Sequence, residues 1–210
     1  PDFIYLASKS PRRQELLTQI GVRFRVLEPL DAHAAEALEA QVPGESPTVY
    51  VKRVVRAKLE AAVASLAPRG LEPAPVLAAD PTVAIGGSLL GKPATADEAR
   101  EMLRRLSGRS HRGLTAVALA RAIRRVVAVN GSRVSFARLS AAQIEDYVAS
   151  GEPFGKAGGY GIQGRAAALA RRIEGSYSGI MGLPLYETAR LLRGLPVVQA
   201  ANPPAASRSR

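Results

Sequence analysis

The chain opens with an apolar run, Phe3 to Ala7, that passes within three residues into Ser10-Pro11, an N-cap followed by proline at the first helical position. Leu16, Leu17 and Ile20 supply the apolar face of the helix that starts there, and Gly21 ends it. A strand that delivers the chain straight into a helix constrains the architecture strongly, and the same alternation recurs downstream. Val22–Leu27 reads as a second strand, and Ser46-Pro47 restarts a helix that runs to about Ala67. Beyond a linker, Pro68–Pro75, the β-branched run Val76–Ile85 reads as a strand with Asp80 inside it. Thr95, with Asp97 and Glu98, opens another helix that Ser107-Gly108 stops. Strands are expected at Leu114–Ala120, Ile123–Asn130 and Arg133–Arg138. A capping box at Ser140 and Gln143 then starts the helix Ala141–Ala149, and a last helix runs from Pro184 to Gly194. The pattern predicts an α/β fold. Its sheet must be mixed, because the middle strands lie too close together for helical crossovers.

The 210 residues suit a single domain, expected over residues 1–196, with a disordered tail over 197–210 that holds Pro203-Pro204 and Ser-Arg alternation. Hydrophobic residues at 47% and charged residues at 22% are those of a globular protein. With no cysteine and two histidines, disulfides and thiolate metal sites are excluded, so any metal must be held by oxygen. The formal charge of +11 fits a polyphosphate ligand, nucleic acid or simple solubility. No block of five like charges occurs and aromatics are few, which argues against nucleic acid as a partner. The first residues carry no basic leader before an apolar core, and no apolar run approaches membrane-span length, so a cytoplasmic protein with no membrane partner is expected.

Chemistry concentrates at five places. In Leu6-Ala7-Ser8-Lys9-Ser10-Pro11-Arg12-Arg13 the free N–H groups of a helix start meet two hydroxyls and three cations, a set suited to phosphate oxygens or else to a well-capped surface helix. Lys58 falls within the apolar stripe of Val51, Val54, Val55, Leu59 and Ala62, where it either snorkels to water or meets an anion at a cleft edge. Lys92, beside the turn at Gly91, has the same two readings. Asp80 either ends its strand as an Asp-Pro turn, or holds a divalent cation or orients a water for attack on phosphorus. The segment Gly155–Gly164 permits close backbone approach to a ligand, with Lys156, Tyr160 and Gln163 available for contacts and the Gln163 amide able to read a base edge.

Three pattern matches do not hold. Gly86–Pro93 nearly spells a P-loop, but Pro93 stands where the magnesium-binding hydroxyl belongs. Gly159–Gly164 spells the dinucleotide fingerprint without the preceding strand that gives it meaning. His33 and His111 are far apart and not near a serine motif, against Ser-His-Asp catalysis.

Leu6-Ala7-Ser8-x-Ser10-Pro11-Arg12-Arg13-x-Glu15-Leu16-Leu17 resembles the N-terminal signature of the Maf family. The resemblance extends to about Leu192 through Gly44-Glu45-Ser46-Pro47, Lys58, Ala79-Asp80, Gly91-Lys92-Pro93, Met102–Gly108, Leu114–Val117, Lys156–Gly164 and Gly182–Leu185. It implies a Maf/ITPase-like fold of two lobes around a deep cleft, usually dimeric, that hydrolyses nucleoside triphosphates to monophosphate and diphosphate with a divalent cation, magnesium or manganese. By similarity Asp80 is the general base and a metal ligand, and Ser8, Arg12, Arg13, Lys58, Lys92 and Gln163 bind substrate. The Ser-Pro-Arg-Arg and Tyr-Gly-Ile-Gln-Gly versions resemble the subgroup acting on dTTP and UTP, with Arg12 and Gln163 as specificity positions. Pro81 is a third, because it departs from the family's Asp-Thr. The acidic segment after the second strand is lengthened to Asp31–Glu39, leaving Asp31 and Glu36 as candidates for its metal-facing acid. Asn130-Gly131-Ser132 replaces the family's β-branched and acidic residues, which predicts a shortened strand. The alternative to an enzyme is a nucleic-acid-binding or division-regulating protein that keeps a relict pocket.

Overall fold

The computed structural model describes residues 1–197. Strand β1 (Ile4–Leu6) leads into α1 (Pro11–Gln19), and β2 (Phe24–Val26) returns beside β1 in parallel. The acidic insertion folds into a short helix, α2 (Ala32–Ala37), before α3 (Pro47–Ala64), which Ser46 caps through the Val49 N–H. Next come β3 (Val76–Ile85) and β4 (Ser88–Leu90), then α4 (Ala96–Leu106), capped by Thr95 as its sequence predicts. A long hairpin of β5 (Ser110–Arg121) and β6 (Arg124–Phe136) precedes α5 (Ala141–Ala149), where both bonds of the expected capping box form. The chain closes through β7 (Ala170–Glu174), α6 (Tyr177–Met181) and α7 (Leu185–Leu192).

The seven strands form one mixed sheet in the order β2-β1-β3-β5-β6-β7, with β4 added to the free edge of β3. β1 pairs with β3 in parallel, whereas β3, β5, β6 and β7 are successively antiparallel. Two apolar clusters cover the two faces. Alternate residues of β3 divide between them: Val76 and Ala78 pack toward α3, while Leu77 and Ala79 face Leu17, Leu103 and Leu183 on the other side.

Several expectations are corrected. The two strands expected at 123–130 and 133–138 are one strand, and Asn130-Gly131-Ser132 does not shorten it. Its register with β5 runs unbroken from Arg124 to Ser135, and Asn130 and Ser132 are bonded to Glu187 and Ser176. Ile123 lies in the hairpin turn, 95% exposed. β4, β7 and α6 were not expected. Of the expected tail only Val197 is described, buried and with its carbonyl accepting the Arg23 N–H, while residues 198–210 lie outside the described residues.

Candidate active site

Asp80 sits in the middle strand, 3% exposed, on the face toward α3. Lys58, on the apolar stripe of α3, reaches across it: its Nζ lies 2.5 Å from Asp80 Oδ1 and 2.6 Å from Glu39 Oε1. The other Glu39 oxygen accepts from Lys92 Nζ at 2.6 Å. Two acids and two lysines thus alternate along one chain of charge. Glu39, Lys58 and Lys92 line a cleft of about 590 Å³ together with Ser8, Arg13, Asp31 and Glu36, and Asp80 is buried behind Lys58. Lys58 therefore does not snorkel to bulk water.

Glu39 went unrecognised in the sequence. It is the last acid of the insertion, and α3 holds it in place: the Tyr50 hydroxyl donates to the Glu39 carbonyl at 2.9 Å, and Arg53 donates to the carbonyls of Leu38 and Ala40. Glu45 in turn fixes the Arg53 guanidinium through two 2.8 Å bonds. Asp31 has another task, because its Oδ1 caps α2 by accepting the His33 and Ala34 N–H groups. Asp31 and Glu36 are exposed residues of the cleft rim.

The environments of the two inner acids differ. Burial pushes the Asp80 carboxyl above the usual aspartate range, and the negative Glu39 adds to the rise, while Lys58 and Arg13 oppose it without prevailing. Burial also raises Glu39, but the joint pull of Lys58 and Lys92 outweighs it and leaves this carboxyl below its ordinary value. A neighbouring pair split in this way gives one acid that stays ionised and one poised to take a proton.

At the start of α1, Ser8 Oγ accepts from the Ser10 N–H at 3.1 Å and from Arg13 Nη1 at 2.8 Å. Arg13 Nε donates to the Gly182 carbonyl, which ties this helix start to the α6–α7 turn. Pro81 lies beside them, its ring toward Gly182. The Pro75 and Leu77 carbonyls accept from β1, so the main-chain groups of residue 81 point to the same edge. There β1 has already ended, and β4 pairs only from Val83. Proline therefore removes no ladder bond: the missing N–H faces a gap in the sheet beside the acid.

Arg12 and Gln163 stand apart from this cluster. Arg12 lies beside Gly161 and Lys156, and Gln163 is exposed on the same glycine-rich segment. That segment is fixed to the sheet. Gly158 donates to the Gly91 carbonyl and lies against Val83, and the Tyr160 hydroxyl bonds the buried His111 Nε2 at 2.7 Å.

Among the described residues no group of three or more His, Cys, Asp or Glu side chains is placed to enclose a metal. Asp80 and Glu39 nevertheless converge on one cationic atom, Lys58 Nζ. Two carboxylates, supplemented by ligand phosphate oxygens, match the way magnesium is held at nucleotide sites.

Residues 3–195 match the sequence model of the Maf-like protein family. The chain belongs to that family. Among relatives, a dTTP/UTP pyrophosphatase of Polaromonas sp. is 60% identical over 91% of this chain and 95% of its own length. The dTTP/UTP pyrophosphatases of Cupriavidus pinatubonensis and Albidiferax ferrireducens are 57% and 55% identical over the same share of this chain and 96% of theirs. The solved structure of the Staphylococcus aureus Ham1 protein is a distant likeness, 13% identical, covering 63% of this chain and 71% of that one with a TM-score of 0.38. As a member of the Maf-like family the chain has an α/β fold on a mixed sheet, as its sequence predicts, and no helix among the described residues is long and apolar enough to cross a membrane.

Proposed function

We propose that this Maf-like chain is a nucleoside triphosphate pyrophosphatase that hydrolyses dTTP and UTP to the monophosphate and diphosphate. The observation that carries the reading is Asp80: a buried carboxyl with a raised proton affinity, flanked by Lys58 and within the field of Arg13. The names of the relatives support both the enzyme class and the pyrimidine substrates. They do not favour a nucleic-acid-binding or division-regulating role.

In this mechanism Asp80 accepts a proton from water as its oxygen bonds to the α-phosphorus. The bond from that phosphorus to the α–β bridging oxygen breaks, and its electron pair leaves with pyrophosphate. Lys58, Lys92 and Arg13 neutralise charge on the triphosphate, and the free N–H groups of α1 with Ser8 hold its oxygens. Positioning and charge neutralisation are the main contributions in phosphoryl chemistry of this kind. Asp80 and Glu39 are the residues that would hold a divalent cation, magnesium or manganese, which when bound withdraws charge from the phosphate oxygens. Glu39 takes this place ahead of Asp31, whose Oδ1 is engaged as a helix cap. Arg12 and Gln163 serve the base, and Pro81 tunes substrate preference. The chain acts in the cytoplasm, where nucleotide pools lie, as a homodimer.

The test is pyrophosphate release from dTTP and UTP with magnesium or manganese supplied, compared between the wild type and Asp80→Asn. Wild-type release that the variant lacks is the expected result; comparable turnover by both removes Asp80 from the chemistry.

A further inference from the structure

Outside the acid–lysine cluster, the structure places two cations, Arg12 and Lys156, side by side. The side chain of Lys156 folds across Gly161 so closely that a Cβ there would stand 2.9 Å from Lys156 Cε, and 3.4 Å from Arg12 Nη1. Among the described residues neither Arg12 nor Lys156 forms an ion pair. The Lys156 ammonium donates to the main-chain carbonyl of Glu152 at 2.5 Å, and among the described residues its other two N–H groups meet no acceptor. The Glu152 carboxylate offers partial compensation only, because it is committed elsewhere: it accepts from the Tyr147 hydroxyl at 2.9 Å and the Arg165 N–H at 3.0 Å. Tyr147 in turn accepts the Gly161 N–H, so Glu152 and Tyr147 fix the loop on which Lys156 and Gln163 sit. Burial, and then the neighbouring Arg12, hold Lys156 below the usual lysine range. Two adjacent like charges with unused donors repel one another until acceptor atoms arrive.

We propose that Lys156 is a further specificity-determining residue, which with Arg12 donates to the carbonyl oxygens of the pyrimidine base and so selects uracil and thymine over cytosine. The proposal rests on the pyrophosphatase reading and deepens it. Uracil and thymine present an oxygen acceptor at C4, where cytosine presents an amino donor. Ammonium and guanidinium groups only donate, so a wall built from them meets the cytosine amino group donor to donor. The Gln163 amide, on the same loop, can do what neither cation can, accepting the N3–H of uracil or thymine. The phosphate cations Lys58 and Lys92 belong to the separate cluster around Asp80 and Glu39, which leaves Arg12 and Lys156 to the base.

The test compares the wild type with Lys156→Met, which keeps the length of the chain without its charge, and with Gly161→Ala, which pushes the lysine aside by its Cβ. For each, kcat/KM is measured for UTP, dTTP and CTP, together with the inhibition constant of inorganic tripolyphosphate and the thermal midpoint. The UTP-to-CTP ratio of kcat/KM should fall by about tenfold or more in Lys156→Met, because a donor that matched a substrate acceptor is gone. The tripolyphosphate constant should shift by less than about twofold, since charge at the phosphates is supplied elsewhere. Equal losses for UTP and CTP, accompanied by weaker tripolyphosphate inhibition, place Lys156 on the phosphates and overturn the proposal. An unchanged ratio in a folded variant overturns it too. A wild type that releases no pyrophosphate from UTP overturns the pyrophosphatase reading and this inference with it.

Discussion

At the scale of single residues, the site turns on an acid kept in a costly environment. Asp80 has its carboxyl raised by burial above the unfolded value of 3.8, so ionising it at neutral pH works against folding. The stabilising contribution of this group is complete below its unfolded pKa and is lost as pH rises through the folded one. Asp80→Asn should therefore raise the thermal midpoint of the ligand-free chain at pH 7 while lowering kcat by about 10²–10⁴, the usual range for a general base. A variant that loses both activity and stability would indicate a structural acid instead. Glu39 adds to the rise of Asp80, so Glu39→Gln should move the acid limb of the kcat/KM profile to lower pH. Pro81 replaces a residue whose N–H would face the gap between β1 and β4, not β5. Pro81→Ala should cost about 0.4–1 kcal/mol in denaturant titration, the range expected when a compatible proline is lost, with no larger penalty from the sheet.

At the scale of elements, the glycine-rich loop depends on one close approach. Gly158 has φ +71°, and a Cβ on it would meet all three side-chain carbons of Val83 at 2.9 Å. Gly158→Ala should destabilise the fold by roughly 1–3 kcal/mol, a range set by left-handed strain and overpacking, and should weaken dTTP binding because the segment carrying Gln163 moves. Full stability in that variant would show that the loop is not seated on β3. The elements best read from the sequence are those with strong local punctuation. Ser10-Pro11, Ser46-Pro47, Thr95 and the Ser140 capping box each mark a helix start that the structure contains. Lys58 was visible as a misplaced charge on an apolar stripe, and Asp80 as an acid in a β-branched run. Glu39 was not visible, because the insertion holds three glutamate or aspartate candidates and only Tyr50 and Arg53, reaching over from α3, decide which one faces the lysines. The sequence pattern divides β6 in two for a related reason. The polar run Asn130-Gly131-Ser132 breaks the strand pattern locally, whereas its partners, Glu187 and Ser176, lie more than forty residues away.

For the whole molecule, His111 links the sheet to the loop and couples stability to pH. It is 2% exposed among Phe136 and Tyr160, and burial pulls its pKa from 6.5 to about 4. A base whose folded pKa is depressed adds stability that is present above the unfolded value and lost as pH falls through the folded one. The window here runs from pH 6.5 down to about 4, and the loss is of order 3 kcal/mol. Denaturation midpoints followed across that window should decline in the wild type and decline less in His111→Gln; parallel curves would remove His111 as the cause.

In the proposed reaction the charge cluster around Asp80, drawn from β3, α3 and the segments after α2 and β4, directs water to the α-phosphorus. Hydrolysis of dTTP in ¹⁸O-labelled water, with magnesium supplied and both products analysed by mass spectrometry, tests it most directly. The expected products are dTMP and pyrophosphate in equal amounts, with the label in dTMP. Label in pyrophosphate, or dTDP and phosphate as the products, would contradict it.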